Sequence, residues 1–167
     1  QRQMCIRDSS TDEMLGTLFE PMLQHRFIMY IDGIPSYLIK KVGGIGYDDG
    51  EVIIDHINSY VKFRAKRRWN DVTLSLYNPV TPSGAQAVME WARLGYETVT
   101  GRAGYGDFYW KDITFNAIDP VGNVVNEWVI KKAFIKNVSS FGDWDWSADA
   151  YTTIEMTLGN SGMILNF

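Results

Sequence analysis

Three aspartates in an aromatic segment have the spacing that comes nearest to a metal site. Asp143, Asp145 and Asp149 form the pattern D-x-D-x-x-x-D, which is similar to the start of a calcium-binding loop. Such a loop requires glycine at its sixth position and glutamate at its twelfth, where this segment has Ala148 and Ile154. The sequence therefore predicts no metal site. We expect these aspartates to cap turns or to face a neighbouring protein subunit.

The other residue types that could do chemistry also lack suitable partners. His25 and His56 are the two histidines, and neither has neighbours at metal-ligand spacing. Glycine-rich residues 43–46 and 101–106 lack the lysine and hydroxyl of a phosphate-binding loop and the spacing of a dinucleotide fingerprint. No serine, cysteine or carboxylate pair has a base at a spacing that suits nucleophilic catalysis. The sequence predicts a protein that is not an enzyme, with no catalytic residue and no cofactor.

A basic stripe is the main charge feature of the chain. Lys62, Arg64, Lys66 and Arg68 alternate along a predicted strand, so we expect their side chains on one face. The stripe is a solvated strand that protects a sheet edge, a contact with an acidic neighbouring subunit, or a nucleic-acid contact. The net charge of −4 and the isoelectric point near 5.1 argue against the last of these.

The composition is that of one folded globular domain. The 167 residues are 46% hydrophobic and 22% charged, which is enough to bury a core and unlike a disordered chain. No apolar run approaches the roughly 20 residues that span a bilayer, so no membrane contact is predicted. The start of the chain has no signal-peptide pattern, so we expect a cytoplasmic origin.

The start of the chain differs in character from the rest. Residues 1–9, QRQMCIRDS, look like translated sequencing-adapter sequence, and they contain the single cysteine. Excluding them removes Arg2, Arg7 and Asp8 and moves the net charge from −4 to −5. We expect a non-native segment at residues 1–9, an arm or short helix at residues 10–23, and one β-barrel domain at residues 24–167.

Alternating apolar residues predict mainly antiparallel strands. A hairpin is expected around Asp32 and Gly33, which give a turn signal. Near Lys132 and Ala133 the alternation shifts phase, as at a β-bulge or bend. The predicted strands are residues 25–31, 36–42, 51–56, 60–66, 72–77, 108–119, 126–138 and 153–159. The sequence therefore predicts an antiparallel β-sandwich or barrel.

One helix is predicted on the flank of this barrel, over residues 81–95. Thr81 is expected as its N-cap, Pro82 as its first residue and Gly95 as its end. The predicted core combines the apolar faces of helix and strands: Val72, Leu74, Leu76, Val88, Trp91, Ala92, Ile113, Phe115, Ile154, Met156 and Leu158.

The order of these parts resembles the tail tube protein family of contractile-tailed bacteriophages. In that family a loop with tryptophan and aspartate precedes a final strand, as F-G-D-W-D-W at residues 141–146 precedes residues 153–159. Residues 67–78, RRWNDVTLSLYN, resemble the family's central strand. Residues 81–95, with M-E-W-A-R near their end, resemble its single helix. The likeness covers roughly residues 24–160.

The resemblance implies a structural virion protein whose function is to assemble. It implies rings of six subunits, stacked into the inner tube of a contractile tail and serving as a conduit for DNA. Its partners would be itself and the sheath, baseplate and tape-measure proteins. It would be found in the virion tail after assembly in the host cytoplasm. Two alternatives stay open: the tube of a phage-like protein-injection system, and a monomeric β-sandwich that binds carbohydrate or a hydrophobic ligand.

The resemblance also places a stacking element between the second and third strands. Here that excursion is rich in glycine and in apolar residues, which suggests burial by a partner. The residues expected to contact the next ring are Gly43, Gly44, Ile45, Gly46, Tyr47, Asp48, Asp49, Gly50, Val52, Ile53 and Ile54. Those expected at subunit interfaces are Lys62, Arg64, Lys66, Arg68, Asp143, Asp145 and Asp149.

Overall fold

The computed structural model describes residues 21–166, so residues 1–9 and most of the predicted arm at 10–23 lie outside the described residues. The strands are β1 (Phe27–Tyr30), β2 (Ile39–Gly43), β3 (Tyr47–His56), β4 (Ser59–Trp69), β5 (Val72–Tyr77), β6 (Lys111–Ile118), β7 (Val124–Ser140), β8 (Thr153–Gly159) and β9 (Gly162–Asn166). Helix α1 spans Gly84–Gly95, the one-turn helix α2 spans Gly106–Tyr109, and a 3-10 turn at Ser36–Leu38 precedes β2.

Most strands form one antiparallel barrel. Their order is β1-β6-β7-β8-β5-β2, so the barrel is open between β1 and β2. Strand β9 pairs with the first half of β7, while β3 and β4 form a separate two-stranded sheet. The predicted fold class, mainly antiparallel β with a flanking helix, is confirmed.

The core fills the space between the two halves of the barrel and α1. Strands β5 and β8 pair so that Val72 faces Leu158 and Leu76 faces Ile154. Alternation along both strands therefore puts their apolar residues on the same, inner face. Of the predicted core, Val72, Leu74, Leu76, Val88, Trp91, Ile113, Ile154, Met156 and Leu158 are buried, and Ala92 and Phe115 are half-buried.

The barrel depends on a bend within β7. The first half of this 17-residue strand pairs with β6, and the second half pairs with β8. Between the halves Lys132 has a φ of 51°, in the left-handed region. The pairing with β6 shifts register across Lys132, and the pairing with β8 shifts register after Ile135. The bend predicted near Lys132 and Ala133 is confirmed.

The helix begins later than the sequence suggested, so Thr81 as its N-cap is wrong. Ser83 is the cap, and its Oγ accepts a hydrogen bond from the Gln86 N–H at 3.3 Å. Gly84 then lies so close to the end of β5 that a Cβ there would be 2.9 Å from the Tyr77 carbonyl oxygen. A residue without a side chain at this point lets the first turn pack on the strand. The predicted end at Gly95 is confirmed.

Two predicted strands have different partners or bounds. The turn after β1 forms, with an Ile31–Ile34 bridge, but Pro35 and the 3-10 turn then redirect the chain. Strand β2 therefore pairs with β5, and β1 pairs with β6, so the predicted β1–β2 hairpin is wrong. The predicted strand at residues 108–119 starts only at Lys111, because the Trp110 N–H bonds to the Gly106 carbonyl and closes α2.

Residues 43–50 are rich in glycine, yet most of them lie in strands. Gly43 ends β2, and β3 begins at Tyr47, so only residues 44–46 lie outside strands. Gly50 is tolerated within β3 because it lies opposite the extra residue of β4, where the regular ladder is interrupted.

Candidate assembly surfaces

A long hairpin of β3 and β4 (Tyr47–His56 and Ser59–Trp69) projects from one end of the barrel. We call it the stacking hairpin after the role expected from the sequence. Its base is closed by a hydrogen bond from the Asn70 N–H to the Gly46 carbonyl at 3.0 Å. Beside it Gly44 has a φ of +82°, and a Cβ there would be 2.3 Å from the Asp71 carbonyl oxygen. Only glycine fits this close, left-handed position, so the base of the stacking hairpin is geometrically fixed.

A β-bulge decides which side chains share a face of the stacking hairpin. Asp49 pairs with Arg67, but Glu51 pairs with Arg64, so β4 has one more residue than β3 between these pairs. The alternation of β4 therefore changes phase at the bulge. The predicted single-face stripe is wrong: Lys62 and Arg64 lie with Arg67, while Arg68 lies on the opposite face.

The first face, here called the charged face, is a ladder of ion pairs. Asp49 Oδ1 is 2.7 Å from Arg67 Nε, and its Oδ2 is 3.0 Å from Arg64 Nε. Lys62 Nζ is 2.9 Å from Glu51 Oε2. The side-chain hydrogen bond from Arg67, with Arg64 nearby, lowers the pKa of the Asp49 carboxyl. Most charged side chains of the charged face therefore have an ion-pair partner on the same face.

The second face, here called the apolar face, has no such internal partner. Val52 pairs with Phe63, and Ile54 pairs with Val61, so the four side chains form one apolar block. Their relative exposures are 51%, 55%, 48% and 46%. Ile57 at the tip is 100% exposed. The block continues toward the base to Arg68, which pairs with Asp48, and Lys66 lies in the adjacent bulge of β4 between the Arg64 and Arg67 pairs.

A second exposed surface is the loop between β7 and β8, here called the tryptophan loop (residues 141–152). Trp144 is 80% exposed and Trp146 is 108% exposed. Asp145 Oδ1 accepts hydrogen bonds from the Ser147 N–H at 2.9 Å and from its hydroxyl at 2.8 Å. These bonds, the backbone one first, lower the pKa of Asp145. Asp145 thus caps a turn, while Asp143 and Asp149 are exposed.

A third surface is a groove between α1 and the segment that leads to α2. Its volume is about 800 Å³. Apolar side chains line it beside Arg93, Arg102 and Glu97, and those most exposed are Leu94, Val99, Tyr105 and Phe108. Gly104 packs so tightly against α1 that a Cβ would be 2.2 Å from the Leu94 carbonyl oxygen. This groove combines apolar surface with positive charge.

Within residues 21–166, no three His, Cys, Asp or Glu side chains converge as metal ligands would. In the same range no helix is long and apolar enough to cross a membrane. His56 lies in the tip region of the stacking hairpin, paired with Ser59.

The apolar face was only partly found from the sequence. Val52 and Ile54 were named, but Val61, Phe63 and the tip residue Ile57 were not. The signal was present, because Val61 and Phe63 alternate with the basic residues along β4. The exposure of Trp144 and Trp146 left no such signal, since tryptophan is more often buried in a core or an interface.

No protein-family model matches the chain, and no curated protein matches its sequence. Solved structures do match the fold. The sheath/tube terminator of PVC, an extracellular contractile injection system, has a TM-score of 0.72 and 17% identity, over 90% of this chain and 99% of that one. The tube-terminating cap of the anti-feeding prophage has a TM-score of 0.71 and 17% identity, over 88% and 91%. A chain of the PVC sheath–tube complex has a TM-score of 0.69 and 18% identity, over 95% and 98%.

The chain has the tail tube fold. The resemblance expected from the sequence is therefore confirmed in structure. The matched proteins belong to tubes, tube ends and a sheath–tube complex of contractile injection systems.

Proposed function

We propose that this protein is a structural tube subunit of a contractile tail or a phage-like contractile injection system. Six copies form a ring, and rings stack into the inner tube inside a sheath. The protein has no catalytic role, and its cargo, DNA in a phage tail, passes through the lumen. The fold shared with PVC and anti-feeding-prophage tube proteins supports this assignment. In this proposal the protein is part of a tail particle, with sheath and baseplate proteins as its neighbours.

The observation that carries the proposal is the exposed apolar face of the stacking hairpin. An isolated two-stranded hairpin is at best marginally stable in water. Here all the residues of β3, and most of those of β4, are exposed, so the barrel covers neither face. The four side chains of the apolar block are removed from water only when another surface covers them. A neighbouring ring supplies that partner at every level of a tube.

Shortening the stacking hairpin tests the proposal. Gly46 and Asn70 are hydrogen-bonded across its base, so residues 47–69 can be replaced by an Asn-Gly turn without stretching the barrel. Negative-stain microscopy should then show single rings or subunits where the unchanged protein forms long tubes. Thermal unfolding followed by circular dichroism checks that the barrel is intact. Tubes of normal length from the shortened protein would contradict the proposal.

A narrower second candidate is a tube-terminating ring, because a terminator and a cap are among the matched structures. A terminator contacts the tube at one end only and should form single rings by itself. The unchanged protein, purified alone, distinguishes the two. Open-ended stacking at rising concentration indicates a tube subunit, and rings that do not stack indicate a terminator.

A further inference from the structure

We propose that the tryptophan loop is the acceptor for the stacking hairpin of the next copy of this chain, with the apolar face turned toward Trp144 and Trp146. This inference rests on the proposed function, because it names the surface that covers the stacking hairpin in a tube. Three features of the structure support it: the positions of the two surfaces, their chemistry and their charge.

The two surfaces lie at opposite ends of the same sheet. The stacking hairpin is attached where β2 ends and β5 begins, at Gly43 and Val72. The tryptophan loop is attached at the other end, where Tyr77 of β5 pairs with Thr153 of β8. The Tyr77 ring also packs at a tilt against that of Tyr151 in the loop, with ring centroids 5.4 Å apart. A donor at one end and an acceptor at the other give a head-to-tail contact, which repeats along an axis without limit.

The dimensions permit this contact between copies. Strand β5 has six residues, so the sheet is about 17 Å long between the two surfaces. Strand β3 has ten residues and extends about 30 Å from the opposite end. Strands β3 and β4 pair only with each other, so the stacking hairpin forms no ladder with its own tryptophan loop. It is also long enough to overlap the sheet of a copy stacked above it.

The chemistry of the two surfaces is complementary. The apolar face offers aliphatic side chains and Phe63, and the loop offers two indole rings that contribute little to the core of their own subunit. Aromatic side chains bury large areas and supply most of the binding energy at many interfaces. Toward its base the apolar face adds Arg68, with Lys66 in the adjacent bulge, and cationic groups are attracted to the faces of tryptophan rings.

The charges also match. Residues 141–151 contain Asp143, Asp145 and Asp149 and no basic residue. Asp145 is occupied by its turn, which leaves Asp143 and Asp149 to meet the cations of the next copy. Arg68 lies on the apolar face beside one acid, Asp48, and Lys66 lies close by in the bulge of β4. The groove beside α1 is a poorer acceptor, because it has one acid, Glu97, against two basic residues, Arg93 and Arg102.

A charge-exchange experiment on the full-length protein tests the pairing. The first variant is Asp143→Lys with Asp149→Lys, the second is Lys66→Asp with Arg68→Asp, and the third combines all four changes. Tube length is measured by negative-stain microscopy and by sedimentation. Each two-site variant should shorten tubes at least tenfold, and the four-site variant should restore them. Asp107→Lys, an exposed change on α2, is the matched control and should leave tubes unchanged.

A further two-site variant tests the indole contacts. Trp144→Ala with Trp146→Ala should abolish long tubes and leave the melting temperature of the unassembled subunit unchanged, because both rings are exposed. Tubes of normal length from this variant, or no rescue in the four-site variant, overturn the acceptor assignment. If these variants stack normally while the shortened hairpin does not, stacking by the hairpin stands and its acceptor lies elsewhere. If the shortened hairpin also stacks normally, the proposed function itself fails.

Discussion

Lys132 has a backbone conformation that side-chain-bearing residues seldom adopt. Its φ of 51° lies at the bend that carries β7 from one half of the barrel to the other. A non-glycine residue in this region costs roughly 1–2 kcal/mol, and a β-branched residue costs more. The Lys132 ammonium lies 4.7 Å from the centroid of the Trp110 ring, which offsets part of this cost. The conformation is therefore maintained by its surroundings.

Substitution at Lys132 should separate backbone strain from side-chain contact. Lys132→Gly should change the free energy of unfolding by less than about 1 kcal/mol, because relief of strain offsets the lost cation–π contact. Lys132→Val should destabilise the fold by about 1–2 kcal/mol or more, since valine resists the left-handed region. Urea unfolding of the three proteins measures this. Equal losses for glycine and valine would show that the side chain matters more than the bend.

Asp112 holds the same bend through a carboxylate. Its Oδ1 accepts the Lys132 N–H at 3.0 Å, and its Oδ2 lies 2.7 Å from Lys131 Nζ. The hydrogen bond from Lys131, then that from the Lys132 backbone, lower the pKa of Asp112 below the ordinary 3.8. A lowered pKa means that the carboxylate stabilises the fold at neutral pH. This contribution decreases as the pH falls below about 4 and is lost below the folded-state pKa.

A pH titration of stability checks this assignment. Asp112→Asn keeps an oxygen acceptor but removes the charge, so it should cost up to about 1 kcal/mol at pH 7, because the site is exposed. The difference from the unchanged protein should shrink as the pH falls below 4. Asp107→Asn, away from the bend, is the control. A difference that is constant from pH 7 to pH 3 would show that the charge of Asp112 does not contribute.

Helix α1 is attached to the barrel through its buried side, and Trp91 is the largest residue on that side. The side chain is 2% exposed, and its Nε1–H donates to the Tyr109 carbonyl oxygen at 2.8 Å. The Lys111 ammonium lies 5.1 Å from the centroid of the ring. One residue thus joins α1 to α2 and to the start of β6.

Removing this ring should release the helix from the barrel. Trp91→Ala should destabilise the fold by roughly 3–5 kcal/mol, the usual cost of emptying a buried aromatic site. Met89→Ala, on the exposed side of the same helix, is the matched control and should cost far less. Chemical unfolding measures both. A loss below about 1 kcal/mol for Trp91→Ala would mean that the helix is held by contacts other than this ring.

Sequence reasoning succeeded where a signal was local. The alternation in β5 and β8, the apolar side of α1 and the phase shift in β7 are each read from residues a few positions apart in the chain. It failed for the partner of β2, because pairing between strands distant in sequence depends on the whole barrel. It also wrongly placed Lys62 and Arg68 on one face. The bulge opposite Gly50 separates them, and this bulge depends on the register between β3 and β4 and cannot be read from β4 alone.

The charge distribution of the whole molecule suits a tube that lets DNA pass without binding it. The chain has a net charge of −4. Three of the five basic residues of the stacking hairpin are already paired with Asp49 or Glu51. The other two, Lys66 and Arg68, are assigned above to the contact between rings. In a ring of six, one unpaired inward arginine per subunit would form a cationic girdle at every level of the tube.

Such a girdle would hold a polyanion, so we predict that the lumen is negative or near neutral. Each phosphate bound releases counterions, and the resulting affinity falls steeply with salt. Assembled tubes should therefore retain no DNA in a filter-binding assay at 150 mM salt, and should show little salt dependence down to 50 mM. A variant with an arginine introduced on the lumen wall, located by cryo-electron microscopy of the tube, is the positive control. Two results would show that the lumen wall binds its cargo. One is DNA binding by the unchanged tube with a strong salt dependence, and the other is Lys66 and Arg68 pointing into the channel without acidic partners. The passive conduit would then be wrong, although the tube itself would stand.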